Sequence, residues 1–526
     1  MKYKILSILL IGCLSVWAEG KVKTVDINRN LQIYNDVMRQ LDMNYVDTLD
    51  YEDLLETGIR AMLSHVDPYT VYIPKKEDDD LKMMTTGKYG GIGAIIMQRD
   101  SVVVVSQPYW GMPAQKNDVL AGDTLLSVDG MDCFKKTTKE VSDKLRGKAG
   151  TTVHLTLKRY GESKPIVREF ERQEIHLPAV SYYKVLDDTT GIKTGYILFS
   201  EFTTNSSKEF LQSIENMIQS DHIERLIIDL RGNGGGIIDE AINIVGFFVN
   251  KGTEVVTTKG LAQTANRSYT TSTFPVYANM PLVIMVDKNT ASAAEIVSGS
   301  LQDLHRATLV GQRTFGKGLV QSLRPIAYDG HLKVTTAHYY LPSGRCIQAI
   351  DYAERQKGHA LKRDTAGGIL PDIVLNDSDK VDITYSLYVK NMFFDFATRY
   401  RAQHPTVDSL QTFELTDQDI EDFIAFLDER HFTYETETSK YLKQTLDVAR
   451  HEDIDSLTLK EIEALEPKLK PSYREAIYRN LPSVKEALGG EIIQRYYFQE
   501  GHIDYLLRTD KELQQAIQAF NKHEEE

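Results

Sequence analysis

Cysteine is scarce: three in 526 residues, Cys13, Cys133 and Cys346, too few and too scattered for a disulfide framework or a cysteine-based metal site. Thirteen histidines fall into no H-E-x-x-H or related spacing, so zinc has no ligand set and no cofactor is implied. The G-x-S-x-G turn of many serine hydrolases is missing. Positive charge is also in deficit. With 61 Lys and Arg against 75 Asp and Glu, the net charge is −14, which leaves no basic footprint for gripping phosphate backbones and excludes nucleic acid as a first-choice partner. What is present, 42% hydrophobic and 26% charged residues, is a globular composition, and the length calls for about three domains.

The chain starts MKYKILSILLIGCLSVWAEG, with Lys2 and Lys4 ahead of an apolar stretch from Ile5 to Trp17 that is too short to span a bilayer. That is the layout of a secretory signal, and the expectation is export to a bacterial periplasm or cell envelope. Two processing readings compete: cleavage after Ala18, or lipid attachment at Cys13, because LIGC resembles a bacterial lipobox. Cleavage, making 1–18 a signal peptide, is preferred because the apolar run continues past Cys13.

Four zones follow. Residues 27–80 read as a helical segment, with Leu31, Tyr34, Met38 and Leu41, then Leu54, Ile59, Met62 and Leu63 at helical spacing, ended by VDPYTVYIP. Residues 81–165 carry short Val-, Ile- and Thr-rich runs separated by Gly, Asp and Pro, a pattern of small β-strands. From 166 to 377 strands and helices alternate (GYILFSEF, a helix from Ser206, IERLIIDL, a helix from Ile237, PLVIMVD, a helix from Ala291), which predicts an α/β layered core. Residues 378–526 are charged and helix-patterned, without an internal repeat.

Chemistry concentrates in the third zone. In NTASAAEIVSGSLQD a lone serine, Ser292, follows a strand-like apolar run. A serine hydroxyl is a weak nucleophile unless a base takes its proton. Downstream, ATLVGQRTFGKGLVQS sets Lys317 between two glycines and among Phe315, Leu319 and Val320. A lysine amine ordinarily titrates at ~10.4, and it becomes a usable base when burial penalises its charged form, by roughly 3–5 units at the extreme. Gln321, four residues on, is placed to orient the amine. The bland alternative is that Lys317 is an ordinary exposed loop lysine.

VDKNTASAAEIVSGSLQD, VGQRTFGKGLVQ, LKVTTAHYYLPSGRCIQ and GILPDIVL together resemble the core of the carboxyl-terminal processing peptidases, also called tail-specific proteases. The likeness runs from about Asp67 to Val374. It implies Ser292 as nucleophile, Lys317 as general base and Gln321 as its support. DLRGNGGG, Asp229 to Gly236, fails the G-x-G-x-x-G pattern of a dinucleotide loop; amides at a helix N-terminus hold an oxyanion equally well, and the resemblance assigns that role to the N–H groups of Gly235 and Ala293. KYGGIGAIIM, SQPYWGMPAQKNDVLAGDTLLSVDGMD and LRGKAGTTVHLTLKR resemble a PDZ domain. Such a domain binds a chain terminus by strand addition, and by resemblance Gly90, Gly91, Ile92 and Gly93 cradle its carboxylate.

The resemblance therefore implies an α+β multidomain chain: a ClpP/crotonase-like layered protease core with an inserted PDZ β-domain, an N-terminal helical segment and a C-terminal helical extension. Its expected partners are proteins or peptides with accessible C-termini, and the last zone is a candidate surface for a second copy or an adaptor. Asp67 and Glu295 read as turn and capping residues, and His305 and His338 as structural or exposed. Ser298 and Ser300 are the fallback nucleophiles. An inactive PDZ scaffold that binds tails without cutting them, and a crotonase-type acyl-CoA enzyme, stand as alternatives.

Overall fold

The computed structural model describes residues 22–186, 191–356, 359–361, 363–364, 367–375, 383–469 and 472–522. The expected leader, with Cys13 and Ala18, lies outside them. The chain forms two compact units, divided between Tyr72 and Ile73, so residues 73–80 of the expected helical segment go with the second unit.

The first unit contains helices α1 (Val22–Asn44) and α2 (Tyr51–Val66). Asp50 starts α2, its carboxylate accepting from the amides of Glu52 and Asp53. The helical spacing is real, but it does not mark a core: Leu31 and Met62 are 56% and 62% exposed, and Leu63 is buried.

The second unit holds the rest of the fold. Strand β1 (Lys88–Gly91) leads into a β-domain and β7 (Gln173–His176) leads out, the two paired antiparallel as a ribbon. Between them lie β2 (Ala94–Arg99), β3 (Val102–Pro108), β4 (Thr124–Val128), helix α3 (Thr138–Leu145), β5 (Thr152–Lys158) and β6 (Ile166–Glu171). The strand order is β2-β3-β4-β5-β6, so β2 is an edge. Alternate residues point inward, Val103 and Val105 from β3 and Val153, Leu155 and Leu157 from β5, as a half-buried strand requires.

The layered core is built on β8 (Val180–Leu186), β9 (Thr194–Phe199), β10 (Arg225–Asp229), β11 (Leu282–Val286), β12 (Thr308–Gly311) and β13 (Ile373–Val374), hydrogen-bonded in that order. β8 runs antiparallel to β9; the other pairings are parallel. Helices α4 (Ser206–Asp221), α5 (Ile238–Gly246) and α6 (Ala293–Asp303) supply the crossovers. Every residue of LIID in β10 and LVIMV in β11 is buried, the pattern of strands covered on both faces. Leu226, Ile228, Leu282, Ile284 and Val286 pack with Phe210, Ile214, Ala241, Val245 and Ile296 of the three helices. Tyr196, Ile227, Val283, Met285 and Val310 belong to a separate cluster on the other face.

That second face is closed from far downstream. Helices between residues 383 and 507 surround their own core of Phe393, Phe396, Phe423, Ile477, Leu488 and Ile492. Among them α7 (Leu481–Leu507) carries one non-helical residue, Phe498, at φ 56°, whose ring meets Trp110 of the β-domain at 4.9 Å. Arg99 of β2 makes a two-pronged ion pair with Asp395, and Gln494 donates to Gln107. The last helix, α8 (Lys511–Lys522), lays Leu513, Ala516, Ala519 and Phe520 on the second face of the sheet. The sequence boundary at 377 is thus not a boundary between layers: the final helix is a wall of the core.

Candidate active site

Three loops at the carboxyl ends of β10, β11 and β12 interlock. In parallel layered sheets this end is where ligands gather, because the strand-to-helix turns leave amides unpaired there. Asp287, closing β11, accepts from the amides of Asn289 and Thr290 and also from Gly232 of the neighbouring loop. Thr290 Oγ1 donates to Leu230 O, the Thr290 carbonyl accepts from Phe315 N, and Ala291 N donates to Asn233 O. Each loop therefore holds the next.

Ser292 stands at the N-cap of α6 with φ 57° and ψ −117°. A non-glycine residue in this region costs of order 1–3 kcal/mol and persists only where the surroundings over-determine it. They do here. Its amide donates to Glu295 Oε2 at 2.9 Å, and its carbonyl accepts from Tyr339 Oη at 3.1 Å and from Ile296 N. Tyr339 is fully buried, and that burial holds its phenol well above the ordinary value, so it stays a donor.

Glu295 is the central fastening. Its side chain is wholly buried; Oε1 accepts from Thr314 Oγ1 and from Gly316 N at 2.8 Å, and Oε2 accepts from Ser292 N and Lys317 N, each at 2.9 Å. One carboxylate oxygen thus keeps the backbone nitrogens of Ser292 and Lys317 at most twice 2.9 Å apart. Burial pushes this carboxyl above its usual range, while the four donors oppose that shift. The glycines flanking Lys317 are required by close approach: Gly316 has φ +83° and a Cβ there would lie 2.5 Å from that of Ala349, and one on Gly318 would meet Gln348 N at 2.7 Å. Ser292 and Lys317 are both half-buried.

Gln321 stands on the strand Leu319–Pro325, beside a register shift, and its amide donates to Thr335 Oγ1 at 3.3 Å. Gly235, with φ +95°, packs on the Ser292 turn so tightly that a Cβ would come within 2.8 Å of both Ser292 Cβ and Ala293 N. Its own amide donates to Asn233 Oδ1 at 2.8 Å. Ala293 opens α6, where an amide has no acceptor within the helix. Ser298 and Ser300 are fully buried, with hydroxyls donated to Ala294 O and Val255 O, so neither faces the loops as a nucleophile.

In the β-domain, Gly90 and Gly91 belong to β1 and pair with Glu174 and Gln173. Ile92 is buried in the domain core and Gly93 sits at φ +72°. The carbonyls of Gly90, Ile92 and Gly93 accept from Gly147, Ala114 and Tyr109. Ile92 and Gly93 form the turn that enters β2, whose outer edge pairs with no other strand among the described residues and runs beside α3. Near this loop a cavity of about 520 Å³ is lined by Trp110, Met112, Pro178, Glu201, Tyr497 and Phe498; it does not reach Ser292.

Sequence reasoning reached Ser292, Lys317 and the glycines, and took Glu295 for a cap. It missed Thr314, Tyr339 and Asn233, which touch the turn from other elements. Tyr339 lies within the LKVTTAHYYLPSGRCIQ stretch, where alternation does not single it out: Leu332 and Val334 share a face with Tyr340, and Tyr339 is nevertheless the buried one.

Residues 193–374 match the model of Peptidase family S41, residues 104–159 that of a PDZ domain, and residues 383–520 that of the C-terminal helical domain of probable PDZ-proteases. A carboxy-terminal-processing protease of Bartonella bacilliformis is 34% identical over 66% of this chain and 75% of its own length. A carboxyl-terminal-processing protease of Picosynechococcus sp. is 36% identical over 52% of this chain and 66% of its own. Among solved structures, the photosystem II D1 C-terminal processing protease shares 26% identity over 66% of this chain and 87% of that one, with a TM-score of 0.38.

Proposed function

The chain belongs to the carboxy-terminal-processing proteases of Peptidase family S41 and carries a PDZ domain, and from that premise we propose that it is an exported serine endopeptidase working through Ser292 and Lys317. The observation that carries this reading is the Glu295 carboxylate, which fastens the backbones of these two residues to one oxygen. A structural role alone would not need a strained serine and a glycine-flanked lysine held together.

The PDZ domain receives a protein's C-terminal strand along the free edge of β2, with the terminal carboxylate at the amides of Ile92 and Gly93. In the cutting step neutral Lys317 Nζ takes the proton of Ser292 Oγ as Oγ bonds to the scissile carbonyl carbon, and the carbonyl π pair moves to oxygen. The Ala293 amide receives that oxyanion. The Gly235 amide joins it by exchanging Asn233 Oδ1 for the substrate oxygen, a trade between two short hydrogen bonds. Collapse breaks the C–N bond, Lys317 returns its proton to the leaving amine, and water, deprotonated by the same lysine, hydrolyses the acyl-enzyme.

Turnover of an exported protein with a tagged C-terminus tests this. Ser292→Ala and Lys317→Ala each abolish cleavage while leaving binding of a C-terminal peptide intact. Cleavage retained by either variant contradicts the dyad; peptide binding without any cleavage by the unaltered chain supports the scaffold reading instead.

A further inference from the structure

A cluster of charge outside the dyad centres on Arg231, in the loop that delivers Gly235. Its Nε donates to both oxygens of Asp229 at 3.0 Å and Nη2 to Asp229 Oδ2 at 2.6 Å. Nη2 also reaches Asp510 Oδ2 at 2.7 Å, and Nη1 reaches Glu512 Oε2 at 2.7 Å. One guanidinium thus meets three carboxylates, two of them 279 and 281 residues away at the start of α8.

Asp510 does two things at once. Its Oδ1 accepts from the amides of Glu512 and Leu513 and so starts α8, while Oδ2 holds Arg231. The first turn of the helix is therefore fixed to the loop by the residue that nucleates it. Beyond Arg231 the loop runs straight to the site. Asn233, fully buried, donates to Phe199 O, accepts from Ala291 N beside Ser292, and takes the Gly235 amide on Oδ1.

Docking alone does not account for this cluster. The apolar stripe Leu513, Ala516, Ala519 and Phe520 already seats α8 on the sheet, and Phe520 lies under the Arg225 guanidinium at 4.7 Å. A half-buried cluster with an excess of negative charge is a costly way to add adhesion, because each ion loses water. What it adds is direction: a planar fork with donors on three sides has one pose that satisfies all its partners.

We propose that α8 is a positioning element of the proteolytic site, with Asp510 and Glu512 orienting Arg231 and thereby the loop that brings Gly235 to the Ser292 oxyanion. The C-terminal helix sets how well the transition state is held, not merely whether the chain stays folded. This rests on the assignment of Ser292 and Gly235 given above.

The test uses the full chain and a small fluorophosphonate, which reports on nucleophile and oxyanion site without engaging the PDZ groove. Asp510→Asn and Glu512→Gln are near-isosteric and are made singly and together; Asp504→Asn, which unties α7 from Tyr182 and Lys184 on β8, is the control for looser docking. Inactivation rates, thermal midpoints and kcat and KM for a C-terminal peptide are measured well below each midpoint. The double variant is expected to lose about 10–100-fold in inactivation rate and kcat, the scale of a misplaced oxyanion donor, with KM unchanged. Asp504→Asn is expected to stay within about twofold of the unaltered rate at a similar loss of midpoint. Equal rates for the double variant and the unaltered chain overturn the proposal, as does equal slowing by Asp504→Asn. Failure of the unaltered chain to react at Ser292 overturns the function assignment instead.

Discussion

The two faces of the core sheet are covered by different kinds of chain. On one, α4, α5 and α6 are crossovers of the same strands they cover, so sequence neighbours become packing neighbours. On the other, α8 arrives after more than a hundred residues of independent helical structure and seals Tyr196, Ile227, Val283, Met285 and Val310. The near face also carries the site: Ser292 caps α6 and Glu295 sits one turn inside it. A local crossover carries the proposed nucleophile, whereas the remote helix finishes the layer and grips the neighbouring loop through Arg231.

The sharpest break of this comparison is Glu295→Gln on the near face. The amide cannot accept all four hydrogen bonds, so some of Thr314, Gly316, Lys317 and Ser292 lose their acceptor inside a dry site. Loss of about 3–5 kcal/mol in stability is expected, with turnover falling at least about 100-fold per folded molecule. Thermal unfolding together with active-site titration checks both.

Phe520→Ala strikes the far face with comparable thermodynamic force, about 3–5 kcal/mol from lost burial and a cavity. Here the expectation divides the two faces. The midpoint drops, but kcat per folded enzyme stays within about threefold, because Asp510 and Glu512 still hold Arg231. A drop in kcat as large as that of Glu295→Gln would erase the distinction.

A smaller effect comes from the tie between α7 and β8. Burial acts to raise the Asp504 carboxyl, but Lys184 and Tyr182 outweigh it and hold the pKa below its ordinary value. A depressed carboxyl contributes stability that is complete above the unfolded value, near ~4, and is lost as pH falls through the folded one. Asp504→Asn is therefore expected to cost about 0.5–1 kcal/mol at pH 7 and correspondingly less on the acid side, measured by denaturant unfolding at both pH values. An effect of the same size, about 0.5–1 kcal/mol without change in the active-site titration, is expected of Arg99→Ala, which removes the partly exposed ion pair between the PDZ domain and Asp395.

Near-face structure was legible because it is written in periodicity and local motifs. Apolar runs such as LIID and LVIMV announce strands buried on both sides, and a serine after such a run, at a helix start, announces a tight turn. The fold class, the PDZ insert and the placement of Ser292 beside the Lys317 loop followed from these patterns and from family resemblance. The far face was not legible for a physical reason. Leu513, Ala516, Ala519 and Phe520 show that a helix packs, but periodicity carries no address for what it packs on. Nor does sequence show that Arg231 is met by Asp510, or that Gly235 gives its amide to Asn233, because such pairings depend on tertiary approach. In the first unit helical spacing gives the helices but says nothing of their burial, and Leu31 and Met62 lie open.

A crystal structure of the full chain with a peptide boronic acid, ending in the residue before a mapped cut, tests the central claim most directly. The account predicts a bond from Ser292 Oγ to boron, Lys317 Nζ within about 3.2 Å of that oxygen, and the Gly235 amide turned from Asn233 Oδ1 to a boronate oxygen. Boron attached to another side chain, or Lys317 Nζ held more than about 6 Å from Oγ, beyond even one bridging water, would contradict it.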